Sequence, residues 1–222
     1  MSMIKYVIFD MDGTLFDTEP CFEKSWSETG DRWGLKGMRE MYYPQVAGRS
    51  IDIIKQFLKS CYGESFDSEA YFAERWVQFR ELVSNGVEEK RGCYELLRFL
   101  KEHGIKAALA TSTPKDLASL YLYKSQIPDY LDGIVFGNEV KRGKPNPDIF
   151  LEAGNRIGAV ASETIVVGDS SYDMIGGHRA GMRPCMVIDH NPPNEEAAPL
   201  CFAVYQSLFD VIELVKHENN ID

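Results

Sequence analysis

Residues 4–14 read Ile-Lys-Tyr-Val-Ile-Phe-Asp-Met-Asp-Gly-Thr. The first six form a short apolar, β-rich run that stops at Asp10, the pattern of a buried parallel strand delivering the chain to a loop. Runs of the same kind recur at 105–110 (IKAALA), 133–136 (GIVF), 164–167 (TIVV) and 185–188 (CMVI). Residues 93–103, 115–126, 147–157 and 172–180 instead space their apolar side chains for one buried helical face. Gly104 and Gly181 fall where helices stop, and Pro147 with Asp148 where one starts. This alternation predicts an α/β protein built on a doubly wound, Rossmann-like parallel sheet.

One long stretch departs from it. Residues 16–85 hold no run that reads as a strand, only aromatic-rich helical segments at 22–29, from Arg39 onward, at 51–61 and at 68–83. That is too long for a loop within a compact domain. The expected organisation is an α/β core of residues 1–15 and 88–222, interrupted by a helical cap domain of residues 16–87 that returns through a polar linker at 84–89. The final residues, 217–222 (HENNID), are expected to fray.

Of 222 residues, 44% are hydrophobic, enough for a core in one large domain or a core plus a smaller one. The 24 basic and 34 acidic residues leave a net charge of −10. Such a surface repels nucleic acid and anionic membranes, so neither is an expected partner. It also repels phosphorylated molecules, so any phosphate site must gather its own positive charge. The five cysteines are scattered without a CxxC pair, which argues against a disulfide framework or a structural zinc site. No leader or membrane-length apolar run is read, and a cytoplasmic protein, monomeric or weakly dimeric, is expected.

Four motifs sit just past the C-terminal ends of predicted strands, the edge at which open α/β sheets bind ligands. Asp10-Met11-Asp12-Gly13-Thr14 places two carboxylates two residues apart, which repel unless a cation or proton separates them. Thr111-Ser112-Thr113 offers hydroxyls and free amides to phosphate oxygens, or simply a helix N-cap before Pro114 at the first helical position. Lys144 is held between Gly143 and Pro145, where its ammonium could bridge a carboxylate and a phosphoryl oxygen; a solvated basic loop is the plain alternative. Gly168-Asp169-Ser170-Ser171-Tyr172-Asp173 sets two carboxylates one helical turn apart.

With these motifs in this order, the sequence resembles the haloacid dehalogenase-like superfamily of hydrolases, in its β-phosphoglucomutase-like and phosphoglycolate phosphatase-like branch with a helical cap. The resemblance implies Asp10 as nucleophile and Asp12 as general acid/base. It implies Thr111, with Ser112, as phosphate-binding hydroxyls and Lys144 as the charge-stabilising cation. Asp10, Asp12 (through its backbone carbonyl), Asp169 and Asp173 are then the metal-site residues, Asp173 either directly or one shell out. An all-oxygen donor set suits Mg2+ rather than zinc. The implied activity is a magnesium-dependent phosphatase that hydrolyses a small phosphorylated metabolite, a sugar phosphate or phosphoglycolate-like compound, through an aspartyl phosphate. Within the superfamily, the dehalogenases lack the second Asp, so Asp12 argues for phosphoryl transfer. Val46-Ala47-Gly48-Arg49-Ser50 resembles the branch's cap loop, which makes Arg49 a candidate substrate-binding residue. A sugar-phosphate mutase is the alternative. β-Phosphoglucomutases carry a His near the position of Phe22, and a phenyl ring cannot make that hydrogen bond. A phospho-binding receiver shares the Asp, Thr, Lys and metal, but neither the cap nor the second Asp.

Overall fold

Strand β1, Tyr6–Phe9, occupies the middle of a parallel sheet. The computed structural model describes residues 3–47 and 51–221. The chain divides into two compact units, Met1–Asp17 with Glu88–Asp222, and Thr18–Val87.

In the first unit β1 pairs with β2 (Lys106–Thr111) on one side and β4 (Thr164–Gly168) on the other. Beyond β2 lies β3 (Gly133–Phe136), and beyond β4 lie β5 (Arg183–Val187) and β6 (Ala203–Tyr205). The six described strands are all parallel, in the order β3-β2-β1-β4-β5-β6. The winding therefore runs outward from β1 twice, in opposite directions, which is the doubly wound α/β fold expected from the alternation.

Register decides what this brings together. Phe9 is level with Leu109 on β2 and with Val167 on β4. Asp10, Thr111 and Asp169, each one or two residues further on, thus leave the same sheet edge side by side. The strand can sit there because it is apolar on both faces: Val7, Ile8 and Phe9 have no exposed surface. Ile8, Ala108 and Val166 meet Phe150 and Ala153 of α7 (Asp148–Ile157). α7 also touches α8 (Ser171–Arg179), and α5 (Cys93–Glu102) touches α9 (Leu208–Asn219).

The C-terminal segment corrects the sequence reading. α9 continues to Asn219, whose side chain accepts from the Ile4 amide at 2.7 Å and donates to the Ile4 carbonyl at 2.8 Å. The expected fraying at 217 does not occur there. This amide closes the backbone groups at the entry to β1, which no residue of that strand could do for itself.

The second unit is helical: α1 (Glu19–Arg32), α2 (Met38–Gln45), α3 (Ile51–Tyr62) and α4 (Ser68–Val83). Its core centres on Trp26, whose indole donates to the Met38 carbonyl and whose own carbonyl accepts from the Tyr71 hydroxyl, both at 2.8 Å. The outgoing and returning chain segments lie side by side within the first unit. Asp17 donates to the Glu88 carbonyl and Lys90 to that of Leu15, each at 2.8 Å. The Lys90 ammonium adds a bond to the Asp17 carboxylate at 2.9 Å.

Candidate active site

Asp10 is the first residue beyond β1, and its amide is still held by the Val167 carbonyl at 2.8 Å. Its carboxylate is nearly buried, and Lys144 reaches it with Nζ 2.5 Å from Oδ1. The same ammonium lies 2.7 Å from Asp173 Oδ1. Lys144 is aimed from the loop between β3 and α7, which is braced by the two-pronged contact of Arg142 with Asp148 at 3.1 and 2.9 Å. The Phe150 ring stands 5.1 Å from the ammonium.

Asp10, Asp169 and Asp173 form the carboxylate cluster: one oxygen of each lies within 4.8 Å of the others. Asp169 follows β4 directly and accepts from Thr14 Oγ1 at 3.3 Å. The backbone at Gly13 makes room for it. There φ is +81°, and a Cβ would stand 2.5 Å from Asp169 Oδ2. Asp173 is the third residue of α8, and its Oδ2 accepts from Ser170 Oγ at 2.5 Å and Ser170 N at 3.2 Å. Both of its oxygens are thus engaged, one by the helix cap and one by Lys144.

Three carboxylates against one ammonium leave an excess of negative charge in a buried place. Burial, together with the charges of Asp173 and Asp12, pushes the Asp10 carboxyl up to about 7 despite the opposing pull of Lys144. Burial and the charges of Asp10, Asp173 and Asp189 likewise push Asp169 well above the usual carboxylate range. Burial alone would lower the Lys144 ammonium, but Asp10 and Asp173 outweigh it and hold the group above its ordinary value. The donor set suits a hard divalent cation: all oxygen, closely spaced, and carrying more negative charge than its one ammonium balances.

Asp12 is placed by residues that the sequence reading did not assign to it. Thr113 Oγ1 donates to Asp12 Oδ2 at 2.6 Å, and the Tyr121 hydroxyl donates to Oδ1 at 2.5 Å. Tyr121 lies on α6 (Lys115–Leu122), fully buried and edge-on to Phe16 at 5.2 Å. Burial and the Asp12 charge raise its phenol above the ordinary value, so it remains a donor. Thr113 does not cap α6: Pro114 is the N-cap residue, in an extended conformation, and the helix begins at Lys115. Thr111 is buried, accepts from the Thr113 amide at 3.0 Å, and has its hydroxyl 3.5 Å from Asp12 Oδ2. Ser112 is exposed on the same turn. Arg49 lies outside the described residues.

The model of the haloacid dehalogenase-like hydrolases matches residues 7–187. The chain belongs to that family. Like other haloacid dehalogenase-like hydrolases it is an enzyme of the hydrolase type, and relatives resemble it along most of their length. A phosphorylated carbohydrates phosphatase of Thermotoga maritima is 33% identical over 83% of this chain and 85% of its own. A pyrophosphatase PpaX of Halalkalibacterium halodurans is 32% identical over 83% of each. The crystal structure of a hydrolase from Pseudomonas syringae superposes with a TM-score of 0.74 at 26% identity, covering 96% of this chain and 98% of that one. Among the described residues of this family member, no helix is long and apolar enough to cross a membrane.

Proposed function

We propose that the protein is a magnesium-dependent phosphatase that cleaves a small phosphorylated metabolite, a sugar phosphate or phosphoglycolate-like compound, through an aspartyl phosphate on Asp10. The observation that carries this reading is the clustering of the Asp10, Asp169 and Asp173 carboxylates at one sheet edge, with the Lys144 ammonium between Asp10 and Asp173 and Asp12 beside them. The phosphatase relatives support the reaction class, and the carbohydrate phosphatase supports the substrate class.

In this mechanism an Asp10 oxygen attacks phosphorus. The bond to the ester oxygen breaks, and Asp12, protonated at that moment, gives its proton to the departing alkoxide. Water then attacks the acyl phosphate, Asp12 takes the proton from that water, and Asp10 is released with inorganic phosphate. Thr113 and Tyr121 fix the plane of the Asp12 carboxyl for both transfers. Lys144 and the Thr111 hydroxyl face charge on the non-bridging oxygens. Asp10, Asp169 and the Asp12 backbone carbonyl would hold the Mg2+. Asp173, with both oxygens engaged, serves it by fixing Lys144. Bound there, Mg2+ would supply positive charge that masks repulsion between the Asp10 carboxylate and the phosphate. Phe22 counts against a mutase: its ring stacks on Phe79 at 4.2 Å and offers no hydrogen bond.

The test is turnover of p-nitrophenyl phosphate and a panel of small phosphate monoesters, with magnesium and with EDTA, for wild type and Asp10→Asn. Magnesium-dependent release of phosphate, lost in Asp10→Asn while circular dichroism stays unchanged, is the expected result. Full activity of Asp10→Asn would remove the nucleophile, and exchange of phosphate between sugar positions without hydrolysis would favour the mutase.

A further inference from the structure

The turn that carries Thr111 and Thr113 is held from outside by the segment that follows β3. Thr111 on β2 is level with Phe136 on β3, so the two chains leave the sheet together. Gly137 then lies so close to the turn that a Cβ on it would overlap the Ser112 carbonyl, 2.6 Å from its carbon. The Gly137 amide donates to the Thr113 carbonyl at 3.3 Å. Asn138 closes the other end of the turn: its Oδ1 accepts from the amide of Lys115, the first residue of α6, at 3.1 Å. A helix start leaves that amide without an internal acceptor, and the N-cap residue, Pro114, has no side chain that could serve it. The cap thus comes from a residue 23 positions further along the chain.

The capping segment is itself fixed. Glu139 Oε2 accepts from the Phe136 amide at 2.8 Å and folds residues 137–139 into one turn of 3-10 helix. Its other oxygen, Oε1, accepts from Arg156 Nη2 of α7 at 3.2 Å. Both groups that grip Asp12 depend on what this segment holds. Thr113 is part of the turn, and Tyr121 lies on the helix that starts at the turn's end.

We propose that Asn138 is a positioning residue for the reaction: it holds the turn and the start of α6 where the Thr113 and Tyr121 hydroxyls aim the Asp12 carboxyl. The proposal rests on the phosphatase reading, in which Asp12 gives its proton to the leaving oxygen. A group placed for such a transfer tolerates an error of only about 0.5 Å. Loss of the cap frees the first turn of α6 and slackens both hydroxyl contacts. It does not unfold the helix, because Leu117, Ala118, Tyr121 and Leu122 stay buried. Thr111 still belongs to β2 and is held by the sheet, so the effect falls on the proton and not on phosphate binding. Asn138 is exposed, and its replacement disturbs little packing.

The experiment compares phenyl phosphate with p-nitrophenyl phosphate, with magnesium present, for wild type, Asn138→Ala and Asn138→Asp. The two esters share a shape and differ in the leaving oxygen: nitrophenolate departs readily as the anion, whereas phenolate depends on the proton from Asp12. In Asn138→Ala, kcat/KM for phenyl phosphate is expected to fall about three- to tenfold and that for p-nitrophenyl phosphate about twofold or less. Asn138→Asp keeps an accepting oxygen for the Lys115 amide and is expected to restore the phenyl phosphate value. Equal losses on the two esters, or no loss on either, would overturn the role of Asn138. So would an Asn138→Asp as impaired as Asn138→Ala, or an Asn138→Ala that circular dichroism shows to be unfolded. A wild type that hydrolyses neither ester nor any other monoester of the panel would sink the phosphatase reading and this role with it; an active wild type separates the two.

Discussion

At the scale of single residues, the site rests on two polar arrangements that stress opposite charges. Lys144 sits between Asp10 and Asp173 with its side chain 5% exposed. Replacing it by Met leaves the carboxylates without their cation in a buried place, where removing one partner of an ion pair costs about 3–5 kcal/mol. Chemical denaturation of Lys144→Met without metal is expected to show a loss of that order, and magnesium should restore part of it by supplying the missing charge. Around Asp12 the issue is direction. Thr113 and Tyr121 each hold one carboxyl oxygen, at 2.6 and 2.5 Å. Tyr121→Phe keeps the ring and its contact with Phe16 while removing one donor. Proton transfer by a placed side chain contributes about 10²–10⁴ in rate, and a misaimed one forfeits part of this. Tyr121→Phe is therefore expected to lower kcat roughly tenfold with little change in KM, and to shift the pH limb that reports the acid. A proportional rise in KM instead would assign Tyr121 to substrate binding. Neither residue announces itself in sequence. Thr113 before Pro114 reads as a helix cap, and Tyr121 as one more apolar position of α6; only the fold brings them to Asp12.

At the scale of elements, three of the four motifs lie where a strand gives way to a loop, made neighbours by the parallel register of β1 with β2 and β4, and Lys144 reaches them from the long loop after β3. The turn at Gly13 is the tightest of these junctions. Alanine there would meet two separate penalties: φ of +81°, and a Cβ 2.5 Å from Asp169 Oδ2. Gly63 separates them, because its φ is +96° but nothing lies within 4 Å of the Cβ position. Gly63→Ala is expected to cost about 1–2 kcal/mol of stability and leave activity intact. Gly13→Ala should also displace Asp169, weakening magnesium activation by roughly 10–100-fold. Equal effects of the two substitutions on magnesium activation would show that Asp169 tolerates displacement. The strands and helices of the sheet were legible because each carries its own period, and so were the glycines that end α5 and α8. The missed pieces lack such a signal. β6 is three residues long with only partial burial, and α9 follows it on a terminal segment whose anchoring amide, Asn219, bonds to Ile4 at the other end of the chain. A contact across 215 positions leaves no periodicity to read.

Taken as a whole, the molecule concentrates its excess negative charge where the proposed chemistry needs a cation. The net charge of −10 is spread over the chain, but the Asp10, Asp169 and Asp173 cluster gathers three of its carboxylates in one largely buried place. Burial and mutual repulsion raise two of its carboxyls, Asp10 and Asp169, so that a cation and protons compete for them. Asp10 titrates at about 7 in the folded protein, against 3.8 for an unperturbed side chain, and Asp169 is shifted in the same direction. A carboxyl raised by folding keeps a proton that the unfolded chain has already released. Its contribution is therefore fully present below the unfolded value and is lost as pH rises through the folded one. The metal-free protein should accordingly lose stability between about pH 4 and about pH 7. Lys144, raised above its ordinary value, stays charged throughout and does not alter the sign. Magnesium competes with those protons for the same oxygens, so its binding releases protons at low pH and few at high pH. The increase in Tm on adding magnesium should then be larger at about pH 8 than at about pH 6. Thermal melts in EDTA and in magnesium at both values measure it, with Asp169→Asn as the variant expected to flatten the difference. A magnesium-induced shift in Tm independent of pH would mean that the cation does not bind at these carboxylates.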